Sequence, residues 1–154
     1  MKTLILYASK YGAAKEVAQR ISRKMSEVLI CDLKQKDIPP LAGYDCVIIG
    51  SSVYAGSLRS EAKAFAAKNA DELCKKTLGL FLSNFSDDDS YFEKNYPQKV
   101  VQAAKAKGSL GGIFDPKKVN GFERFIIKIV MKKAEYIEKI DDNKISEFVE
   151  AMQK

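Results

Sequence analysis

The chain reads as an α/β domain: a doubly wound, five-stranded parallel sheet with helices on both faces. Three observations predict this. Strand-like and helix-like segments alternate through the 154 residues. The strand-like runs, Cys46–Gly50 among them, are continuously apolar rather than alternating, as strands covered on both faces must be. The composition, 46% hydrophobic and 30% charged, suits one soluble unit with a buried core, so residues 1–154 form a single domain.

Lys2–Tyr7 is rich in strand formers and gives the first strand. Ala14, Val17, Ala18, Ile21 and Met25 then recur at helical spacing. Glu27–Asp32 is the second strand, followed by a polar loop through Pro39 and Pro40, which exclude regular structure. Cys46–Gly50 is the third strand, and Ala62, Phe65, Ala66 and Leu73 mark the helix after it. Thr77–Ser83 is the fourth strand, Val100, Val101 and Ala104 mark a helix, and Ser109–Phe114 is the fifth strand. Ile145, Phe148, Val149 and Met152 define a closing amphipathic helix. Between the last two lies an insertion, residues 115–142, with a helical segment of its own; one that long inside a compact domain is usually functional.

Several function classes fall away. Histidine is absent, which removes imidazole-based acid–base catalysis, a Ser-His-Asp triad and imidazole-ligated zinc. Cys31, Cys46 and Cys74 are odd in number and widely spaced, so they read as buried, reduced thiols rather than a disulfide framework. The longest uncharged apolar run, Cys46–Ser57, is far short of the roughly 20 residues of a membrane span. Met1-Lys2-Thr3 leads straight into a strand rather than a signal peptide, so a cytoplasmic location is expected. The net charge of +6 is local: Lys99–Lys139 holds ten Lys/Arg against four Asp/Glu. A single basic stretch on a balanced domain points to an anionic surface or ligand rather than to nucleic acid.

In an open parallel sheet, ligands bind beyond the carboxyl ends of the strands. Three loops leave those ends. In Ser9-Lys10-Tyr11-Gly12-Ala13-Ala14, small residues let backbone N–H groups face an anion at a helix N-terminus. The same residues also suit an ordinary strand-to-helix turn with Ser9 as cap. Ser51-Ser52-Val53-Tyr54-Ala55-Gly56 and Ser83-Asn84-Phe85-Ser86 each set an aromatic ring beside small polar residues. Taken singly, Tyr54 and Phe85 suit packing; on three consecutive loops the pattern favours a phosphorylated aromatic cofactor. A phosphoacceptor receiver domain shares the alternation but needs an acidic pair after the first strand and an Asp ending the third. Ala8-Ser9 and Gly50-Ser51 stand there instead.

Over nearly its whole length the sequence resembles the flavodoxin-like proteins. The resemblance implies strand order 2-1-3-4-5 and flavin mononucleotide (FMN) as cofactor, with no metal. It places the 5′-phosphate on Ser9, Lys10, Tyr11, Gly12, Ala13 and Ala14. It sets the isoalloxazine ring between Ser51, Ser52, Val53, Tyr54, Ala55 and Gly56 on one side and Ser83, Asn84, Phe85 and Ser86 on the other. Ala14 departs from the pattern, in which a hydroxyl residue ends the phosphate loop. Within the family, the opening Met1–Leu6, the Gly50–Gly56 loop and Gly121–Lys133 resemble the menaquinone-dependent protoporphyrinogen dehydrogenases. That implies an oxidoreductase with a quinone or redox protein as partner. A small flavodoxin electron carrier and a flavin-free binding module of the same fold are the alternatives. The segment before the fifth strand is shorter than in that branch and acidic at Asp87–Asp89, and the insertion lacks the branch's aromatic and arginine-rich run.

The segment Phe122–Lys133 has a reading of its own. On a helix, Phe122, Phe125, Ile126, Ile129 and Val130 share one face while Arg124, Lys128 and Lys132 form a basic stripe. Such a helix suits peripheral contact with an anionic membrane, docking on its own domain, or a homodimer interface.

Overall fold

The computed structural model describes residues 1–115, 117 and 136–154. In chain order the elements are β1 (Thr3–Ala8), α1 (Ala13–Ser22), β2 (Val28–Asp32), β3 (Cys46–Tyr54), β4 (Ser57–Leu58), α2 (Ser60–Lys68), α3 (Ala70–Leu73) and β5 (Thr77–Ser83). They continue with α4 (Ser90–Asn95), α5 (Gln98–Ala103), β6 (Ala104–Ser109), β7 (Ile113–Phe114), β8 (Ile137–Glu138) and α6 (Asp142–Gln153).

The sheet runs β2-β1-β3-β5-β6, every neighbour parallel, with the two-residue β4 folded antiparallel onto the end of β3. With β4 set aside, the five main strands stand in the order 2-1-3-4-5 that the resemblance implies. The central strands are buried on both faces, so their side chains divide between two cores. Leu4, Leu6, Val47, Ile49, Leu80 and Leu82 face Ala62, Ala66, Leu73, Phe92 and Val100 of the helices between β3 and β6. Ile5, Tyr7, Ile48 and Phe81 face Val17 and Ile21 of α1 and Ile145, Phe148 and Met152 of α6. Asp141 caps α6, its carboxylate accepting the N–H groups of Asn143 at 3.0 Å and Lys144 at 3.1 Å.

The fifth main strand is Ala104–Ser109, not Ser109–Phe114. It sits at the sheet edge, where Lys105 and Lys107 are exposed and Ala106 is buried. An edge strand packed on one face needs alternation rather than a continuous apolar run, and lysines there block pairing with another chain. The more apolar Leu110–Phe114 leaves the sheet at Gly111, whose φ of +96° and whose Cβ position, 2.0 Å from the carbonyl oxygen of Lys139, both require glycine. Ile113 and Phe114 then pair antiparallel with Glu138 and Ile137, so the two ends of the insertion are tied together. Arg20 of α1 holds this closure, paired with Glu16, Glu138 and Asp142 at 3.0–3.3 Å. The expected helix Phe122–Lys133 lies outside the described residues.

Cys31 and Cys46 are buried as expected, but Cys74 is exposed. It follows the buried Leu73 at the end of α3, one step round the helix and facing solvent. Among the described residues no helix is long and apolar enough to cross a membrane.

Candidate functional site

The strand order reverses between β1 and β3, and there the chain departs from the carboxyl ends of the strands in opposite directions, leaving a crevice. The first loop is set by its own hydroxyl: Ser9 Oγ accepts the Gly12 N–H at 2.8 Å, and Gly12, at φ +97°, turns the chain into α1. The Lys10 N–H donates to Ser52 Oγ at 3.3 Å, which ties this loop to β3. Beyond Gly12 the first N–H groups of α1 have no partner within the helix and face the cleft side of the turn. Ala13 and Ala14 are buried. The Ala14 methyl belongs to the core, and the residue is fully buried and does not line the cleft.

The second loop is mostly strand. β3 runs through Tyr54 because Ser57–Leu58 pairs back onto Val53–Tyr54 across a tight turn in which Ala55 and Gly56 have φ of +51° and +79°. Positive φ at both central residues is the hairpin geometry that matches strand twist. Ser51 is spent on scaffolding, its hydroxyl donating to the Ser52 carbonyl and accepting the Arg59 N–H, both at 2.9 Å. The third loop is pinned to the turn after β6. Ser83 Oγ donates to the Gly111 carbonyl at 3.0 Å, the Asn84 N–H donates to the same oxygen at 3.1 Å, and Ser109 Oγ donates to the Ser86 carbonyl at 2.7 Å.

Between these loops lies a small cleft of about 80 Å³. Lys10, Tyr11 and Ala13 from the first loop, Ser52, Val53 and Tyr54 from the second, and Ser83, Asn84 and Phe85 from the third all line it. Ser9, Gly12, Ala14, Ser51, Ala55, Gly56 and Ser86 do not line it; Ala14 and Ser51 are buried, while Ala55, Gly56 and Ser86 are exposed. Gly112 and Ile113 complete the wall and were not anticipated. The signal was the Gly111-Gly112 pair, a chain-turning dipeptide that the sequence reading assigned to a strand interior. Arg59 was missed as well. Its guanidinium lies 5.9 Å from the Tyr54 ring centroid, and its buried Nε meets no acceptor among the described residues.

The chemistry of the lining is aromatic and cationic. Tyr11 and Tyr54 meet edge to face, centroids 6.4 Å apart, and the Lys10 ammonium lies 3.4 Å from the Tyr54 centroid and 5.2 Å from that of Tyr11. Among the described residues no carboxylate lines the cleft. Just beneath it on β1, burial above all, then Asp32 and Cys31, pushes the Tyr7 hydroxyl upward, so Tyr7 stays protonated at neutral pH. Among the described residues no cluster of acidic or thiol groups could hold a metal ion. The cleft therefore offers aromatic faces, hydroxyls and a cation, and among the described residues no carboxylate base lines it.

A parallel 2-1-3-4-5 sheet with such a cleft at its switch point defines the class of doubly wound nucleotide-cofactor proteins. More narrowly, the chain belongs to the flavodoxin domain family, whose description matches residues 4–141. Among curated proteins it is similar to protoporphyrinogen IX dehydrogenase [quinone] of Escherichia coli strain K12, 26% identical over 146 residues covering 86% of this chain and 80% of that one. Among solved structures it is similar to oxidised flavodoxin 2 of Bacillus cereus, with a TM-score of 0.64, 22% identity and coverage of 99% and 98%. It is also similar to a flavoprotein in complex with FMN from Lactobacillus acidophilus, with a TM-score of 0.54, 16% identity and coverage of 72% and 91%.

Proposed function

We propose that this chain is an FMN-dependent oxidoreductase that oxidises a protoporphyrinogen-like substrate and delivers the electrons to a quinone. FMN is its cofactor and the protein is a flavodoxin-type redox protein; the substrate and the quinone are the finer part of the reading. The observation that carries it is the convergence of three strand-end loops on one cleft, lined by the start of α1 and by the rings of Tyr11, Tyr54 and Phe85, with no carboxylate among the described residues. FMN, when bound, supplies electron and hydride transfer. The residues of the chain bind and orient it. The Ser9–Ala14 turn offers backbone donors to the phosphate, Tyr54 and Phe85 flank the ring, and Ser52, Ser83 and Asn84 give polar contacts between them.

The named dehydrogenase relative supports the quinone, as does the amphipathic, lysine-striped sequence Phe122–Lys133, which would bring the protein to an anionic membrane where quinones reside. The test has two arms. Titration with FMN and riboflavin should show FMN bound at least tenfold more tightly, since riboflavin forfeits several charge-assisted hydrogen bonds; equal affinities would remove the phosphate assignment. Anaerobic assay with protoporphyrinogen IX and a menaquinone analogue should then give quinone-dependent oxidation. If the FMN-loaded protein instead reduces only a protein acceptor, it is an electron carrier.

A further inference from the structure

The two edges of the sheet are finished differently. β6 carries the exposed Lys105 and Lys107, charges that discourage pairing with another chain. β2, the opposite edge, reads Val-Leu-Ile-Cys-Asp, without a lysine or proline, and its Leu29 is 44% exposed. The ladder from β2 to β1 runs from the Thr3 N–H on the Glu27 carbonyl at 3.1 Å to the Leu33 N–H on the Tyr7 carbonyl at 2.8 Å. In a parallel ladder that parity turns the backbone groups of Glu27, Leu29, Cys31 and Leu33 toward β1 and those of Val28, Ile30 and Asp32 outward. Among the described residues only the Asp32 carbonyl finds a partner there, the Gln35 N–H at 3.0 Å; the N–H and C=O of Val28 and Ile30 and the Asp32 N–H are open.

We propose that two copies of this chain pair through β2, antiparallel about a two-fold axis at Ile30. Each Ile30 N–H then donates to the Ile30 carbonyl of the other copy, and each Asp32 N–H to the other copy's Val28 carbonyl. Leu29 comes opposite Cys31 of the second copy in a non-hydrogen-bonded pair, and the exposed Leu29 side chains become diagonal neighbours that cover one another. The flanking charges choose both the orientation and the occupant. Glu27 stands exposed just before β2, and Lys34 stands exposed just beyond its end. Antiparallel pairing brings Glu27 of each copy beside Lys34 of the other, whereas parallel pairing would set Glu27 against Glu27 and Lys34 against Lys34. An edge with an apolar middle and opposite charges at its two ends is complementary to itself. No residue of β2 lines the cleft, so both clefts of the pair stay open and the pairing needs no bound cofactor.

Sedimentation equilibrium of the full chain over about a hundredfold range of concentration should show the average mass rising from one chain toward two. Leu29→Lys, which copies at an exposed position the guard that β6 carries, should hold the mass at one chain. Ile30→Pro removes an N–H that faces away from β1 and should do the same. Glu27→Lys alone should weaken pairing about tenfold, since the substitution acts at both ends of a two-fold interface, and adding Lys34→Glu should restore it. This charge exchange leaves β2 itself untouched, so it decides the matter even where Leu29→Lys or Ile30→Pro fails to fold. Leu29→Cys in a Cys74→Ser background should give, on mild oxidation, a covalent dimer whose disulfide joins position 29 to Cys31 of the other copy, a separation that a non-hydrogen-bonded antiparallel pair allows. A one-chain mass at the highest concentration overturns the proposal. A dimer indifferent to Leu29→Lys, Ile30→Pro and Glu27→Lys overturns it as well and moves the contact elsewhere, and so does a charge exchange that fails to restore pairing.

Discussion

Two hollows of the molecule differ in kind. The groove beside β6 has a volume of about 430 Å³, about five times that of the cleft at the ends of β1, β3 and β5. Its walls carry Asp87, Asp89 and Glu147 together with Lys105, Lys107 and Lys144, opposite charges on one surface, and Lys144 pairs with Asp87. The smaller cleft holds Lys10 against two tyrosines and no carboxylate among the described residues. The groove lies at the open sheet edge, lined by β6, α6 and the Asp87–Asp89 loop, whose charges cancel. The cleft is the point where three separate strand-end loops converge. Size therefore does not identify the site here; the convergence of three strand-end loops does.

The sharpest way to test that contrast is to disturb the sheet beneath each hollow. Gly50 lies in β3 under the cleft, and a Cβ there would stand 1.9 Å from Cζ of Phe81, a fully buried ring with no room to retreat. Gly79 lies in β5 under α6 and the groove wall. A Cβ there would meet Met152 Sδ at 2.7 Å and Phe148 Cζ at 2.9 Å, the first of which is the flexible end of a side chain. Gly50→Ala should cost about 3 kcal/mol and Gly79→Ala about 1 kcal/mol, the two ends of the overpacking range. Urea unfolding of both variants measures this, and equal losses would mean that the sheet under the cleft is no more constrained than the sheet under the groove.

A smaller effect, on binding rather than folding, comes from the linings. Tyr54→Ala should weaken FMN by about 1–3 kcal/mol, the range of aromatic stacking on planar bases. Lys105→Glu with Lys107→Glu should leave FMN affinity within about 0.5 kcal/mol, as surface substitutions remote from a site do. Should the lysine pair matter more than the tyrosine, the groove and not the cleft would hold the cofactor.

Much of the site was legible because its residues follow strands that declare themselves. β1, β3 and β5 are continuous apolar runs, so the loops after Ala8, Gly50 and Ser83 could be located and their aromatic and small polar residues named. β6 was misplaced because its Ala-Lys-Ala-Lys pattern carries an edge strand's alternation on a minimum of apolar surface, while the more apolar Leu110–Phe114 next to it drew the assignment. That single slip hid the Gly112–Ile113 wall. Arg59 was invisible for a different reason. It reaches Tyr54 only because β3 continues to Tyr54 and β4 folds back on it, a hairpin turned at Ala55, where positive φ in a non-glycine residue gives no sequence signal. Serines were recognised as present but not sorted. All four hydroxyls bond the backbone, but Ser52 and Ser83 also line the cleft whereas Ser51 and Ser9 do not, a difference of position that only the fold shows.

The smallest expected effect concerns the opposite end of the sheet. Cys74 is exposed just before β5 begins, at the amino ends of the strands, while the cleft lies at their carboxyl ends. Cys46, the first residue of β3, is fully buried, and burial above all pushes its thiol upward, so it stays protonated and shielded near neutral pH. Cys31 is buried as well, and desolvation raises it in the same direction. A bulky maleimide should therefore label the native protein once, at Cys74, and label Cys31 and Cys46 only after unfolding in urea. Because the labelled position is separated from the cleft by the length of the strands, FMN affinity and flavin fluorescence should be the same before and after labelling. Mass spectrometry of the labelled protein identifies the site, and repeating the FMN titration measures the coupling. A loss of FMN affinity on labelling Cys74 would mean that the two ends of the sheet communicate, and the cleft could no longer be treated as a property of the carboxyl-end loops alone.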